Sequence, residues 1–512
     1  RAMLSRWCVT LVLSLWAVPA AAAASQEDSQ DLSSLSIEEL AQLPVRSASK
    51  REEPLSAAAT ALHVITGDDI ARSTATSLPE VLRMAPNLHV ERLNASQYAI
   101  SARGFNGYET SNKLLVLIDG RSVYSTLHSG VFWELHSALP EDLRQIEVIS
   151  GPGGTLYGPN AVNGVISILS KDARETQGLA ARATAGATER TAAARYGFAL
   201  GDSAAVRVYA NYFDRENLPA SLGPVMNDRM RGWQAGFRAD LGGGASHTTV
   251  QGGAFDHQTF QLSGDGYRGH DILVRWTREL TTVSSIELQG YYDYYQRRAV
   301  GTMDSLATAD MQSQYNRHAG PHNLVAGIGL RMTRDIFVNN VNMFQLAPLR
   351  DRLWIWNGFV QDRFAVSPEL SVIAGVKLEG SSFSGLQVLP NFRLAWQPSA
   401  QALFWTSVSR AVRTPSRIDR NLTAAGILAA APEFESEKLL ALEAGYRGQP
   451  TRSTSLSISL FYNRYADLRS AKFIGNPFPV QLSNDLRGHT YGLEAWGTQQ
   501  LTEWWRVSGG VA

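Results

Sequence analysis

At 512 residues the chain is well beyond the size at which one hydrophobic core stops growing, so it holds either several domains or one very large closed sheet. Lys plus Arg and Asp plus Glu balance at 47 each, for a formal net charge of 0, which leaves no global field to attract nucleic acid. The single cysteine, Cys8, lies in a segment expected to be removed, which excludes disulfide frameworks and cysteine nucleophiles from the mature chain.

The chain opens RAMLSRWCVTLVLSLWAVPAAAAASQ, with basic Arg1 and Arg6, an apolar run from Val9 to Val18 and small residues at Ala22 to Ala24. That is the pattern of an export signal, expected over residues 1–24, and its apolar run is too short for a membrane helix. Beyond it the longest dense apolar run is Leu114 to Ile118, far short of the ~20 residues a spanning helix needs. The mature chain is either soluble or crosses a membrane as strands. Residues 25–50 are polar and suit a flexible leader, with at most one helical turn in SIEELAQL.

From 51 to 172 the pattern is that of a compact α+β domain. ALHVIT predicts a strand and SLPEVLRMAP a helix, with Ser77 and Glu80 at capping-box spacing and Pro86 as its stop. Strands follow at YAISARG, KLLVLIDG, RQIEVIS and GVISIL. From 173 to 512 long alternating segments take over: in STSLSISLFYN, Leu456, Ile458, Leu460 and Tyr462 share one face while Ser455, Ser457 and Ser459 occupy the other. Connections alternate as well, short at Gly201, Leu241, Ala319, Ser367, Pro398 and Gly448, and long over Asp214 to Arg231, Arg334 to Arg352, Arg410 to Glu435 and Tyr465 to Leu486. Dyad repeats of ~10 residues, with short turns on one side and long loops on the other, mark an outer-membrane barrel; a soluble sandwich or propeller is the competing reading.

GPGGTLYGPNAVNGVISILSK, Gly151 to Lys171, has the glycine content of a phosphate-binding loop. Such a loop runs from a strand into a helix and ends in Gly-Lys-Ser/Thr, whereas here β-branched GVISIL follows and no Lys-Ser/Thr pair succeeds Gly158. Gly151, Gly153, Gly154, Gly158 and Gly164 are therefore read as turn and close-approach residues, as are Gly104 and Gly120.

LPEDLRQIEVISGPGGTLYGPNAVNGVISILSK, preceded by ISARGFNG and KLLVLIDGRSVY, resembles the plug domain of TonB-dependent outer-membrane receptors. FVQDRFAVSPELSVIAGVKLE, LPNFRLAWQPSAQALFWTSVSRAVRTPS and FESEKLLALEAGYRG resemble that family's barrel segments, so the resemblance covers nearly all of the mature chain. It implies a transmembrane β-barrel, an antiparallel meander of about 22 strands, with an N-terminal α+β plug inside it. It also implies a monomer in the Gram-negative outer membrane, surrounded by lipid and lipopolysaccharide and energised by inner-membrane TonB. The cargo would be a scarce small molecule, a ferric siderophore or similar metal chelate, with cobalamin or another non-iron substrate as the alternative. No catalytic residue, resident cofactor or nucleic-acid partner is expected. A passive porin is disfavoured because it needs no exported domain ahead of its strands. The family usually has Arg before the Gly-Pro of the loop, and here that position is Ser150. The chain stops at VSGGVA after roughly seventeen strands, so the barrel is expected to be incomplete at its C-terminus.

The resemblance also assigns roles. Arg103 matches the plug arginine that pairs with glutamates on the inner wall, and its expected partners are Glu443 and Glu494. Strand parity agrees independently: Leu440, Leu442 and Ala444 facing lipid put Glu443 inside, as Tyr491, Leu493 and Ala495 do for Glu494. With Ser150 replacing an arginine, one charge pair is expected to be missing. The TonB box falls on Leu43, Pro44, Val45, Arg46 and Ser47, an extended peptide suited to strand addition. Ligand contacts are expected from two plug apices, one carrying Arg92, Asn94, Ser96, Gln97 and Tyr98, the other Tyr124, His128, Phe132 and Trp133; such residues suit an iron chelate and equally suit packing. His318 and His322 have the spacing of a metal pair but flank Gly320-Pro321, so turn decoration is expected and no metal site.

Overall fold

The computed structural model of the protein describes residues 36–218, 227–260, 265–299, 301–339, 344–502 and 504–512. The expected export signal, Cys8 and the leader up to residue 35 lie outside the described residues.

The wall is an 18-stranded sheet whose strands follow one another in chain order from Gly178–Ala185 to Trp505–Val511. Long neighbours pair antiparallel throughout; one member, Leu428–Ala429, is only two residues long and runs parallel to Val480–Gln481. Among the described residues the first and last strands do not pair, so the sheet is open there. Side-chain parity is inverted relative to a soluble sheet. In Thr454–Phe473, Leu460 and Tyr462 are half exposed while Ser459 and Asn463 are fully buried. The outer face meets hydrocarbon and the inner face meets polar protein, so greasy residues point out.

The strands run further than the alternation alone suggested. Thr454–Phe473 and Val480–Thr502 have 20 and 23 residues, roughly twice the ~10 a bilayer crossing needs. Much of the segment expected as the loop Tyr465 to Leu486 is therefore strand, and Arg334 to Arg352 likewise keeps strand at both ends. Outside the lipid belt a polar strand loses nothing, because its backbone groups still pair across the ladder.

The N-terminal domain is built on a five-stranded sheet, ordered Ala61–Thr66, Leu143–Ser150, Gly164–Ser170, Leu114–Ile118 and Arg121–Ser122. Ile65, Ile70, Val81, Val116, Ile146, Val148, Ile166 and Ile168 form its fully buried core, each contributing roughly 1.5–3 kcal/mol of transfer energy. The expected capping box at Ser77 and Glu80 is absent: the helix spans only Leu78–Leu82 and Ser77 makes no side-chain cap bond. Glu80 instead accepts from Tyr98 Oη at 2.8 Å and Arg83 Nε at 2.7 Å. Complete capping boxes occur at Ser36 and Glu39, opening Ile37–Ala41, and at Thr66 and Asp69, opening the unanticipated helix Gly67–Arg72.

Ion pairs tie this domain to the wall on several sides. Asp142 meets Arg195 at 2.6 Å, Glu134 meets Arg297 at 3.2 Å, Arg121 meets Asp271 at 3.3 Å and also Asp293, and Lys113 meets Glu437. Charges in a lumen filled by protein lose most of their water and must find such partners.

Candidate functional site

Arg103 follows the core strand Tyr98–Ser101 and turns its backbone to φ +55°, with Gly104 at φ +101° continuing the turn. The guanidinium is thereby aimed at the wall. Nε and Nη2 donate to the Glu494 carboxylate at 3.0 and 2.9 Å, and Nη1 donates to Glu443 Oε1 at 2.6 Å. All three side chains are buried, and the ring of Phe461 covers the guanidinium at 4.3 Å. Ser407 Oγ donates to the other Glu443 oxygen at 3.1 Å. The cluster thus holds one cation and two carboxylates. Ser150 is fully buried and accepts from Asn87 Nδ2 at 2.8 Å, bringing no charge.

Gly151 borders the same cluster at φ +103°, and a Cβ there would collide with the Glu443 carboxylate and sit 2.9 Å from Arg103 Nη1. Gly151→Ala is therefore expected to destabilise the folded protein by about 1–3 kcal/mol, read as a lower melting temperature of the purified receptor. An unchanged melt would show that the cluster has slack.

The segment Leu43 to Ser47 is extended but not free. Pro44 and Val45 pair with Pro54 and Glu53, Val45 and Ser47 are buried, and the Leu43 carbonyl accepts from the Leu55 amide. Glu147, a fully buried carboxylate in the strand Leu143–Ser150, anchors the segment. It accepts from the Arg46 amide at 3.1 Å, the Ser47 amide at 2.8 Å and Ser47 Oγ. The Arg46 side chain reaches Glu287 on the wall. The expected free peptide is thus docked, because its own amides find an acceptor inside the plug.

The two expected ligand apices lie on the side of the long loops, and their side chains are largely spent on the fold. Asn94 Oδ1 accepts from the Ser96 and Gln97 amides, Gln97 Oε1 accepts from Asn94 Nδ2, and Arg92 donates to the carbonyls of Asn94 and Ala95. Tyr98 and Trp133 are in the main plug core and Tyr124 in a second cluster. Phe132 is buried between His128, stacked at 3.8 Å, and the guanidinium of Arg297 at 3.5 Å. Packing, not an open pocket, accounts for these aromatics. Exposed plug residues at this end include Leu93, Asn106, Gly107, Tyr108, Glu109 and Thr110, with Glu109 O accepting from Arg469 at 2.8 Å. His318 and His322 take separate partners, Asn323 at 2.8 Å and Asp362 at 2.6 Å. No group of metal-ligating residues forms among the described residues.

A plug locked in a β-wall through buried charges is matched by two family descriptions: TonB dependent receptor-like, beta-barrel, over residues 170–512, and TonB-dependent Receptor Plug Domain, over 54–165. The chain belongs to the TonB-dependent receptors. Proteins of this family sit in the outer membrane of Gram-negative bacteria, where the lipid-facing belt of the wall belongs. The receptor is 32% identical over 136 residues to the vitamin B12 transporter BtuB of Vibrio vulnificus, which covers 26% of this chain and 21% of that protein. The matched stretches span 21% to 31% of the first curated relatives. Among solved structures, the siderophore receptor PirA from Pseudomonas aeruginosa superposes with a TM-score of 0.67 at 17% identity, covering 86% of this chain and 82% of that one. A mutant of the ferric enterobactin receptor PfeA from Pseudomonas aeruginosa gives a TM-score of 0.73 at 15% identity, covering 88% and 79%.

Two residues that sequence reasoning missed hold the docked segment and the chain that follows it. Glu147 had a signal, a lone carboxylate in the apolar RQIEVIS. Arg447 had none: from the wall it donates to four plug carbonyls, those of Leu55, Ala58, Thr60 and Leu62, at 2.6 to 2.9 Å. Held among the described residues by carbonyls alone, this cation fixes backbone position, here that of the chain just after the docked segment.

Proposed function

We propose that the receptor is an energised importer that takes a small metal chelate of the ferric siderophore class across the outer membrane, with TonB as its partner. The observation that carries this reading is the plug itself, packed against the wall through buried ion pairs such as Arg103 with Glu443 and Glu494. A solute of that size has no passive way through, so work must be done on the plug. The docked segment Leu43 to Ser47 is where a periplasmic partner takes hold, by competing for the strand edge that Glu53 and Pro54 occupy. The siderophore receptors among the structural neighbours support the substrate class. Cobalamin is the second reading, favoured by the BtuB relative. The reading needs no catalytic residue.

Deleting residues 43–47 is expected to abolish uptake of labelled ferric siderophore while leaving surface binding intact, since the segment acts only from the periplasm. Uptake should vanish equally when the proton-motive force is collapsed. Uptake that survives both treatments would overturn energised import, and labelled cobalamin taken up in place of the ferric chelate would select the second substrate.

A further inference from the structure

Between the docked segment and the inner wall lies a cavity of about 150 Å³. Several of its charges are paired: Arg46 with Glu287, and Arg331 with Asp310 at 2.8 Å. Arg275 donates to Gln289 at 2.9 Å and to the Asp119 carbonyl. Two cations are left over. Lys50 Nζ lies 4.8 Å from the centre of the Phe359 ring and 5.2 Å from that of Tyr157. Lys377 Nζ lies 5.4 Å from the same Phe359 ring. Among the described residues neither ammonium has a hydrogen-bond or ion-pair partner; the Glu379 carboxylate, two residues along the strand, is the main opposing charge on Lys377 but makes no direct ion pair with it. Aromatic faces contribute only about 0.5–2 kcal/mol per cation, far less than the hydration an ammonium gives up on burial.

We propose that Lys50 of the plug and Lys377 of the wall form a binding site for a small inorganic oxyanion. Two like charges around one ring call for an acceptor that carries negative charge and several lone pairs. A tetrahedral oxyanion offers both and lets each ammonium bind a different oxygen. The cavity is below the ~300–1,000 Å³ of pockets that hold organic ligands, so a chelate does not fit. Lys50 sits three residues after Ser47, with its backbone at φ +57° and its carbonyl accepting from Gln314 Nε2 at 2.9 Å. The bound anion therefore clamps the docked segment to the wall.

The site is pH-dependent in a definite direction. Burial, then the nearby Lys377, pushes Lys50 down to about 7, with Arg46 adding to the push and Glu287 and Asp310 opposing it; Arg275, Arg331, Glu379, Tyr124 and Tyr157 are the other charged and titratable groups lining the cavity. The anion needs Lys50 protonated, so affinity falls as pH rises through 7. Sulfate is the suitable probe because its own charge is constant over that range.

Equilibrium dialysis of labelled sulfate against the purified full chain in detergent is expected to show one saturable site, about 25-fold weaker at pH 8.5 than at pH 6.5. Lys50→Gln and Lys377→Gln should each weaken it by about tenfold or more, and Lys377→Arg, which keeps the charge, should retain it. Should the Gln variants fail to fold, amide exchange of the wild type decides: sulfate should slow exchange over residues 46–51. No saturable site at pH 6.5, wild-type binding by the double Gln variant, or unaltered exchange overturns the proposal. Binding is measured on the resting receptor, so such a failure leaves the import reading intact.

Discussion

Replacing Arg103 with Ala is expected to loosen the plug and make cells sensitive to antibiotics too large for the intact outer membrane, such as vancomycin. Arg103 is the only cation hydrogen-bonded to Glu443 and Glu494 among the described residues, and both carboxylates are buried. Removing one partner of a buried pair costs about 3–5 kcal/mol, more than the pair contributes, because the remaining charge keeps its desolvation penalty. Here two carboxylates would be stranded side by side. Adding Glu443→Gln and Glu494→Gln to the Arg103→Ala background should partly restore both the melting temperature and the permeability barrier, since neutral amides neither repel nor demand a counter-charge. Ser150 stands next to the cluster with no charge to offer, so no second plug arginine cushions the loss. Wild-type vancomycin resistance and an unshifted melt in Arg103→Ala would refute the assignment.

The inward direction of Glu443 and Glu494 was legible in the sequence because strand parity is local: a leucine on one side and an alanine on the other fix which way each glutamate points. Arg103 was legible only through the resemblance, since nothing within SARG says that a partner waits 340 residues away. The docking of Leu43 to Ser47 was not legible for the same reason, Glu147 being 100 residues distant from Ser47. Local rules also failed where tertiary contacts compete. Ser77 and Glu80 have the spacing of a capping box, yet Tyr98 Oη takes Glu80. Aromatic apices cannot be sorted into ligand contacts and packing by composition, because a buried Tyr124 and an exposed Tyr108 are the same letter. The alternation that located the wall strands was strong because lipid on one side and protein on the other select opposite chemistries at every second residue.

Replacing Arg413 with Ala is expected to release the loop of residues 414–436 from the plug without unfolding the wall. Arg413 is fully buried at the end of the strand Ala402–Arg413. It grips Glu437 with Nε at 2.8 Å and Nη2 at 3.0 Å, while Nη1 donates to Asp419 at 2.7 Å and to the plug hydroxyl of Ser129 at 2.8 Å. Asp419 in turn caps the helix Arg417–Asn421 through Ser416. The Arg417 and Ile418 amides of that helix donate to the Thr126 and Leu127 carbonyls of the plug, at 3.2 and 3.0 Å. One guanidinium thus joins strand, loop and plug. Without it Glu437 keeps Lys113 and the Arg469 amide, so the strand end holds. Asp419 is left with Ser416 and a longer contact to Arg469 at 3.4 Å. A local penalty of about 3 kcal/mol raises the open population of the loop by roughly 100-fold, and cleavage by external protease follows that population when opening is fast. Trypsin added to intact cells should therefore cut after Arg417 or Arg420 at a correspondingly higher rate. Arg413→Lys should fall between the two, since an ammonium cannot make the paired bonds to Glu437. The heat-modifiable gel mobility of the folded barrel should be unchanged in both variants. Cleavage of Arg413→Ala no faster than wild type would mean that the Thr126 and Leu127 contacts hold the loop by themselves, and that Arg413 serves the strand end alone.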